Sequence, residues 1–239
     1  MMMDTQRPSL AASIRRRQAE GLFPVIAEIK VRSDKEGDLL RGRDPVELAR
    51  SMAALPVAGI SVVTEPEHFG GSIDLLRAIA GAVDLPVLHK DFVMTKQQVE
   101  ESADCGASAV LLIAAMLDEY SLAQRIDEAA RRKLETLVEA HTPEELKLIR
   151  RLPGTLLGIN NRNITIFEVD DGDVGRTEKL SLKDGDGRVL VSESAIAGPN
   201  DARRAGKSGA DAVLVGTAVL QSSDPTAFLK SMIDVGWPP

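Results

Sequence analysis

The 239-residue chain is poor in several residue types, and each shortage excludes something. It has a single cysteine, Cys105, so no internal disulfide can form, and a reducing, cytoplasmic compartment is the expectation. It has five Phe, one Trp and one Tyr, so Val, Ile, Leu and Ala must build the core. No apolar run approaches the roughly 20 residues that cross a bilayer, which argues against a membrane span. Arg15, Arg16 and Arg17 have no apolar stretch behind them, so a secretory signal is not expected. With 29 Lys+Arg against 36 Asp+Glu, the net charge of −7 speaks against nonspecific nucleic-acid binding. His68 and His141 lack the Cys or third His that metal-ligand spacing needs, so no metal is expected. The acidic stretch from Glu168 to Asp173 does not have the spacing of a calcium loop and reads as a solvated face.

What the chain does have is a repeat of short apolar runs and amphipathic stretches. Eight strands are expected at Val25–Lys30, Gly59–Glu65, Pro86–Phe92, Ser108–Met116, Leu134–His141, Thr155–Asn161, Arg188–Ile196 and Ala212–Leu220. Helices are expected at Asp44–Leu55, Ser72–Val83, Thr95–Gly106, Asp118–Lys133, Thr142–Leu152, Pro199–Gly209 and Asp224–Gly236. Asn163–Asp186 is the least periodic segment, and a short helix is expected over Leu10–Arg17, in a lead of 21 residues. Apolar strands that alternate with helices imply a parallel sheet covered on its faces. A doubly wound open sheet is the rival, but the first turn, Lys30–Gly42, carries no G-x-G-x-x-G. The expectation is a single α/β domain over 1–239, a (β/α)8 TIM barrel with a short N-terminal helical extension.

Barrel chemistry sits at the carboxyl ends of the strands. Side chains alternate along a strand, so Ile26, Glu28 and Lys30 share one face. Lys90, Glu139, Asn160 and Glu193 stand at four further strand ends. Five strands delivering ionisable or amide groups to one mouth are poorly explained as isolated surface salt bridges, because burying such groups without a role costs stability. The cluster suits proton transfer, with desolvation expected to push a lysine pKa down toward neutrality. The eighth strand ends at Gly216 and Thr217, where barrel loops commonly bind phosphate. With Lys30, Arg162 and the Ser194 backbone nearby, an anionic ligand, a phosphate ester, is expected. Cys105 falls on a helix facing away from this mouth, so a catalytic thiol is not expected.

Taken in series, IAEIK (Ile26–Lys30), TEPEHFGG (Thr64–Gly71), PVLHKDF (Pro86–Phe92), LLIA (Leu111–Ala114), LVEAH (Leu137–His141), GINNRN (Gly158–Asn163), VSESAI (Val191–Ile196) and ADAVLVGTA (Ala210–Ala218) resemble the indole-3-glycerol phosphate synthase family. The last motif is shared by several phosphate-binding barrels, whereas IAEIK, KDF, INNRN and SES in order are specific. The resemblance, from about Val25 to Leu220, implies a cofactor-free carboxy-lyase of tryptophan biosynthesis. Such an enzyme converts 1-(2-carboxyphenylamino)-1-deoxyribulose 5-phosphate to indole-3-glycerol phosphate. Lys90 would then be the general acid, Glu139 its acid/base partner, and Lys30 the holder of the substrate carboxylate and a helper in dehydration. Glu28, Asn160 and Glu193 would orient them. Phe69, Phe92 and Leu111 would pack the aromatic ring, Arg162 would help fix the site, and Ser194, Gly216 and Thr217 would lie near the phosphate. The implied partner is a small phosphorylated substrate, with a monomer or weak homo-oligomer and association with other tryptophan-pathway enzymes as further expectations.

Four departures from the family pattern stand out. Ser33 is retained, but Asp34 and Lys35 follow it where Pro-Ser is usual, placing a negative charge near the expected phosphate. Ala195 replaces a usual glycine, His89 replaces a common arginine, and the N-terminal lead is short. Two other readings compete: a barrel that only binds a sugar phosphate as a sensor, and an enzyme running the same closure on another amino-sugar phosphate. A phosphoribosylanthranilate isomerase is disfavoured, because that family relies on a cysteine near the first strand.

Overall fold

In the computed structural model, which describes residues 7–163, 169–170, 174–180 and 187–239, eight parallel strands close into a barrel. They are β1 (Val25–Ile29), β2 (Gly59–Val63), β3 (Val87–Lys90), β4 (Ala109–Ile113), β5 (Glu135–Ala140), β6 (Leu156–Asn160), β7 (Val189–Glu193) and β8 (Ala212–Val215). β1 pairs with both β2 and β8, so the sheet has no free edge and the open-sheet alternative is excluded. Each strand is buried on both faces and splits its side chains by alternation. Ile26, Leu88, Leu111, Leu137, Val191 and Leu214 fill the inside, whereas Ala27, Ile60, Leu112, Val138, Ile159 and Val213 face the helices.

The helices are α1 (Leu10–Ala19), α2 (Pro45–Ala53), α3 (Ile73–Ala80), α4 (Lys96–Asp104), α5 (Glu119–Arg131), α6 (Pro143–Arg151), α7 (Gly175–Leu180), α8 (Pro199–Lys207), α9 (Thr217–Gln221) and α10 (Pro225–Ile233). Their starts follow local chemistry. The side chains of Asp44, Ser72, Thr95, Asp118, Thr142 and Asp224 each accept a hydrogen bond from an otherwise unpaired N–H of the first turn. α1 runs across the amino-terminal end of the barrel, where Leu10 and Ile14 join the interior apolar cluster. Glu135, at the start of β5, accepts from Ser9 Oγ at 2.7 Å and from the Leu10 N–H at 2.6 Å. No helix among the described residues is long and apolar enough to cross a membrane.

One expectation needs correction, and two features come in addition. The eighth strand ends at Val215 rather than Leu220, because Gly216 breaks the apolar run and Thr217–Gln221 turns helical as α9. The aperiodic segment holds α7, and Arg162–Asn163 pairs antiparallel with Val169–Asp170. A second small ladder joins Arg32–Ser33 to Gly37–Asp38. The side chains of the acidic stretch Glu168–Asp173 lie outside the described residues.

Candidate active site

A pocket opens at the carboxyl ends of the strands, and alternation along each strand determines what lines it. Glu28 and Lys30 follow Ile26 inward at the top of β1; Lys90 follows Leu88, Glu139 follows Leu137, and Asn160 follows Gly158. The pocket is lined by these five together with Phe69, Phe92, Leu111, Arg162, Ser194, Ala195, Gly216 and Thr217. Of the residues singled out from sequence, two do not line it. Glu193 is fully buried beneath the lining, and Ser33 is buried in the loop after β1, where its Oγ accepts the Glu36 N–H at 3.1 Å.

The polar floor is built around Glu28. One of its carboxylate oxygens lies 3.7 Å from Lys30 Nζ and the other 3.4 Å from Lys90 Nζ. Burial alone would raise the Glu28 carboxyl, but the two ammonium groups outweigh it and hold the pKa below its usual value. Glycine at position 216 is a steric requirement, because a Cβ there would overlap the Glu28 side chain. Gly158 stands in the same relation to the Glu193 carboxylate. Lys30 donates to Thr217 Oγ1 at 3.1 Å, and its Nζ sits 5.6 Å from the Phe69 ring centroid, a cation–π distance.

The expected fall of a lysine pKa is not what the site produces at Lys90. Burial does act to lower it, but Glu28, Glu193 and Glu139 surround the ammonium and raise its pKa above the ordinary lysine value. Lys90 is therefore a full cation at neutral pH. The two remaining carboxyls are driven apart. Burial would raise Glu139, but a contact with His141 and the charge of Lys90 bring it below its usual value. Burial and the negative charge of Glu139 push Glu193 well above its own. The two neighbouring carboxyls are thus pushed in opposite directions, as expected where two like charges compete for one site.

Backbone geometry completes the mouth. Ser194 and Ala195, immediately after β7, have φ of 64° and 53°, the left-handed region. They are held by Asn161, which is buried and donates its carboxamide N–H groups to Ser192 Oγ and to the carbonyls of Glu193 and Ser194. Its carbonyl accepts from Thr177 N–H and Oγ1, tying α7 to the same point. Sequence reasoning passed over Asn161 and also Glu65, a pocket-lining residue. The carboxylate of Glu65 accepts the N–H groups of Glu67, His68 and Phe69 and so shapes the loop that carries the Phe69 ring. The signal for Glu65 was available, since it closes the second expected strand as Lys30 closes the first. Glu65, Glu67 and His68 also form the one three-residue group among the described residues with ligand atoms close enough for a metal, but Glu65 is already engaged by backbone.

The departures sit as follows. Asp34 turns away from the pocket to His68, its Oδ2 3.0 Å from Nδ1, and Lys35 is exposed. His89 faces outward from β3 and is buried, 2.7 Å from Thr64 Oγ1 and 2.6 Å from Ser102 Oγ. Cys105 caps α4 at the opposite end of the barrel, where burial raises its thiol pKa, so it has no place in the chemistry.

Fold and site together define a class: a (β/α)8 barrel whose mouth gathers lysines and carboxylates in an arrangement suited to acid–base chemistry on an anionic ligand. The family model for indole-3-glycerol phosphate synthase matches residues 2–232. An indole-3-glycerol phosphate synthase of Thermococcus kodakarensis is 46% identical over 211 residues, covering 88% of this chain and 92% of that protein. One from a Nocardioides species is 45% identical, covering 88% of this chain and 80% of that protein. Among solved structures, orotidine 5'-phosphate decarboxylase from Pyrococcus horikoshii superposes with a TM-score of 0.67 at 14% identity. It covers 88% of this chain and 98% of that one, a likeness of fold alone. The chain belongs to the indole-3-glycerol phosphate synthase family, a family of carboxy-lyases in tryptophan biosynthesis.

Proposed function

We propose that the protein closes the indole ring of 1-(2-carboxyphenylamino)-1-deoxyribulose 5-phosphate, releasing carbon dioxide and water to give indole-3-glycerol phosphate. The observation that carries this assignment to particular residues is the pair of ammonium groups sharing the Glu28 carboxylate in a pocket walled by Phe69, Phe92 and Leu111. Lys90 is the general acid. Because it is a full cation, it hydrogen-bonds the ribulose carbonyl and gives up its proton only as alkoxide character develops there during attack by the ring carbon. Glu139 exchanges protons with it, and Lys30 holds the substrate carboxylate and assists dehydration. Glu28, Asn160 and Glu193 keep these groups aligned and offset the positive charge of the iminium intermediate. Phe69, Phe92 and Leu111 form the slot for the planar ring, and Arg162 steadies the rim. The phosphate lies against Ser194, Ala195, Gly216 and Thr217, supplying remote binding energy that fixes the reacting atoms.

We take residues 1–239 as one barrel domain of a cytoplasmic enzyme that needs no cofactor and acts as a monomer or weak homo-oligomer, open to association with other enzymes of its pathway. The reading as an enzyme for a different amino-sugar phosphate loses its motive, since the Asp34 charge is drawn to His68 rather than into the pocket. Adding the anthranilate-derived ribulose phosphate to the protein should produce indole fluorescence. Lys90→Ala should lower the rate by about 10²–10⁴-fold, the usual share of one acid–base group. Binding without fluorescence would overturn the assignment in favour of a sensor.

A further inference from the structure

The reaction proposed above consumes a proton. A carboxylate leaves as neutral carbon dioxide and a carbonyl oxygen leaves as water, so each turnover takes one proton from solvent into the site. The groups that must receive it are poorly placed to meet water, since Glu139 is 1% exposed and faces the pocket that the proposed substrate would occupy.

We propose that His141 conducts this proton to Glu139, with Glu145 as the outer terminus of the path. His141 lies two residues beyond Glu139, just past the end of β5, is buried, and does not line the pocket. Its Nε2 is 3.1 Å from Glu139 Oε1 and its Nδ1 is 3.5 Å from Glu145 Oε2, within reach by distance, but neither ring nitrogen is aligned for a hydrogen bond, so transfer requires the ring to turn. Glu145 stands in the first turn of α6, where its side chain is 22% exposed and its Oε2 also accepts the His141 N–H at 2.7 Å. The result is a carboxylate–imidazole–carboxylate line that runs from solvent to the buried acid/base without crossing the substrate pocket. Lys90 from β3, together with Glu193 from β7 and Asn160 from β6, faces its inner end.

Imidazole suits this position because it accepts a proton at one nitrogen and releases a different one from the other. Water protonates Glu145, the proton passes to His141 Nδ1, and the Nε2 proton passes to Glu139 Oε1. The ring is then left protonated on Nδ1, and a half-turn about Cβ–Cγ returns the N–H to the Glu139 side and readies the ring for the next proton, with no heavy-atom bond made or broken. His141 touches no substrate, so it is a positioning and relay residue rather than a catalytic one.

The inference rests on the assigned reaction, so wild-type turnover is measured first; absence of indole fluorescence there sinks the assignment itself. Given turnover, His141→Gln keeps the volume and polarity but cannot conduct. It should lower kcat at least about tenfold with KM within twofold, and enlarge the solvent isotope effect on kcat. Glu145→Gln should move kcat in the same direction. His141→Ala should regain activity when imidazole is added to the buffer. A His141→Gln enzyme with kcat within twofold of wild type, or one whose loss lies in KM alone, overturns the relay and leaves His141 a strut. Should His141→Ala fail to fold, the His141→Gln rate and isotope effect decide.

Discussion

The buried acid of the site lends itself to a stability measurement that needs no substrate. Glu193 is 0% exposed, and neither carboxylate oxygen has a hydrogen-bond donor among the described residues. Burial and the adjacent Glu139 charge raise its pKa well above the 4.5 of an ordinary glutamate, with Lys90 offsetting only part. A carboxyl whose folded pKa is raised contributes stability that is fully present below its unfolded pKa. That contribution is lost as pH rises toward the folded value. Glu193→Gln mimics the protonated acid at every pH, its NH2 pointing a donor where the acid carried its proton. The variant should therefore match wild type near pH 4 and gain on it above pH 4.5 by about 1.4 kcal/mol per pH unit, the linkage slope for one proton. For a chain of this size that is about 3–5 °C in Tm per pH unit. The gain levels off where the native carboxyl at last ionises, so the plateau locates that pKa. Urea and thermal unfolding of both proteins from pH 4 to pH 9 provide the curves, and in a Glu139→Gln background the gain should level off at a lower pH, because the charge that raises Glu193 is gone. A difference that stays constant with pH, or falls as pH rises, refutes a raised Glu193 pKa.

Two further outcomes follow from loops around the mouth. Ala195 has φ of 53°, where a Cβ is strained, so Ala195→Gly should stabilise the fold by about 1 kcal/mol or less once the extra chain entropy of glycine is deducted; urea midpoints at an unchanged m-value read this directly. The hydrogen bond that His68 donates to the Asp34 carboxylate raises the His68 pKa, so this contact supports the loop at low pH and is lost as pH rises through the raised value. Asp34→Asn should bring the His68 titration, followed by NMR, back toward an ordinary histidine, and an unmoved titration would show that the pair does not form in solution.

Much of the barrel was legible because its strands are apolar on both faces, with charged or amide residues only at their ends. Ile26, Glu28 and Lys30 show why: once alternation puts Ile26 inside, the two ionisable groups must follow. The same reasoning failed at the eighth strand. Val213–Leu220 is apolar almost throughout, and periodicity cannot tell a strand that continues from one that stops at Gly216 and turns helical. α7 escaped notice because a six-residue, mostly polar helix has no apolar stripe; Asn161 and Thr177 hold it from the side. The charge state of Lys90 was misjudged because the identities of its neighbours were known but their distances were not. Burial and the three neighbouring glutamates act in opposite directions, and only the three-dimensional arrangement decides between them. His141 has no metal-ligand spacing, and its actual neighbours, two glutamates two and four residues away, are too ordinary a spacing to signal a function.

The helix that seals the barrel floor also sets an order of events. α1 leaves the ribosome before the barrel strands, yet the residues that hold it come much later. Glu135 follows Leu10 by 125 positions, and Asp211, paired with Arg15, follows that arginine by 196. α1 therefore has its last ionic anchor only when the eighth strand emerges. Closing the ring and plugging its base then become one late step, and until then Leu10 and Ile14 remain exposed apolar surface for a chaperone to cover.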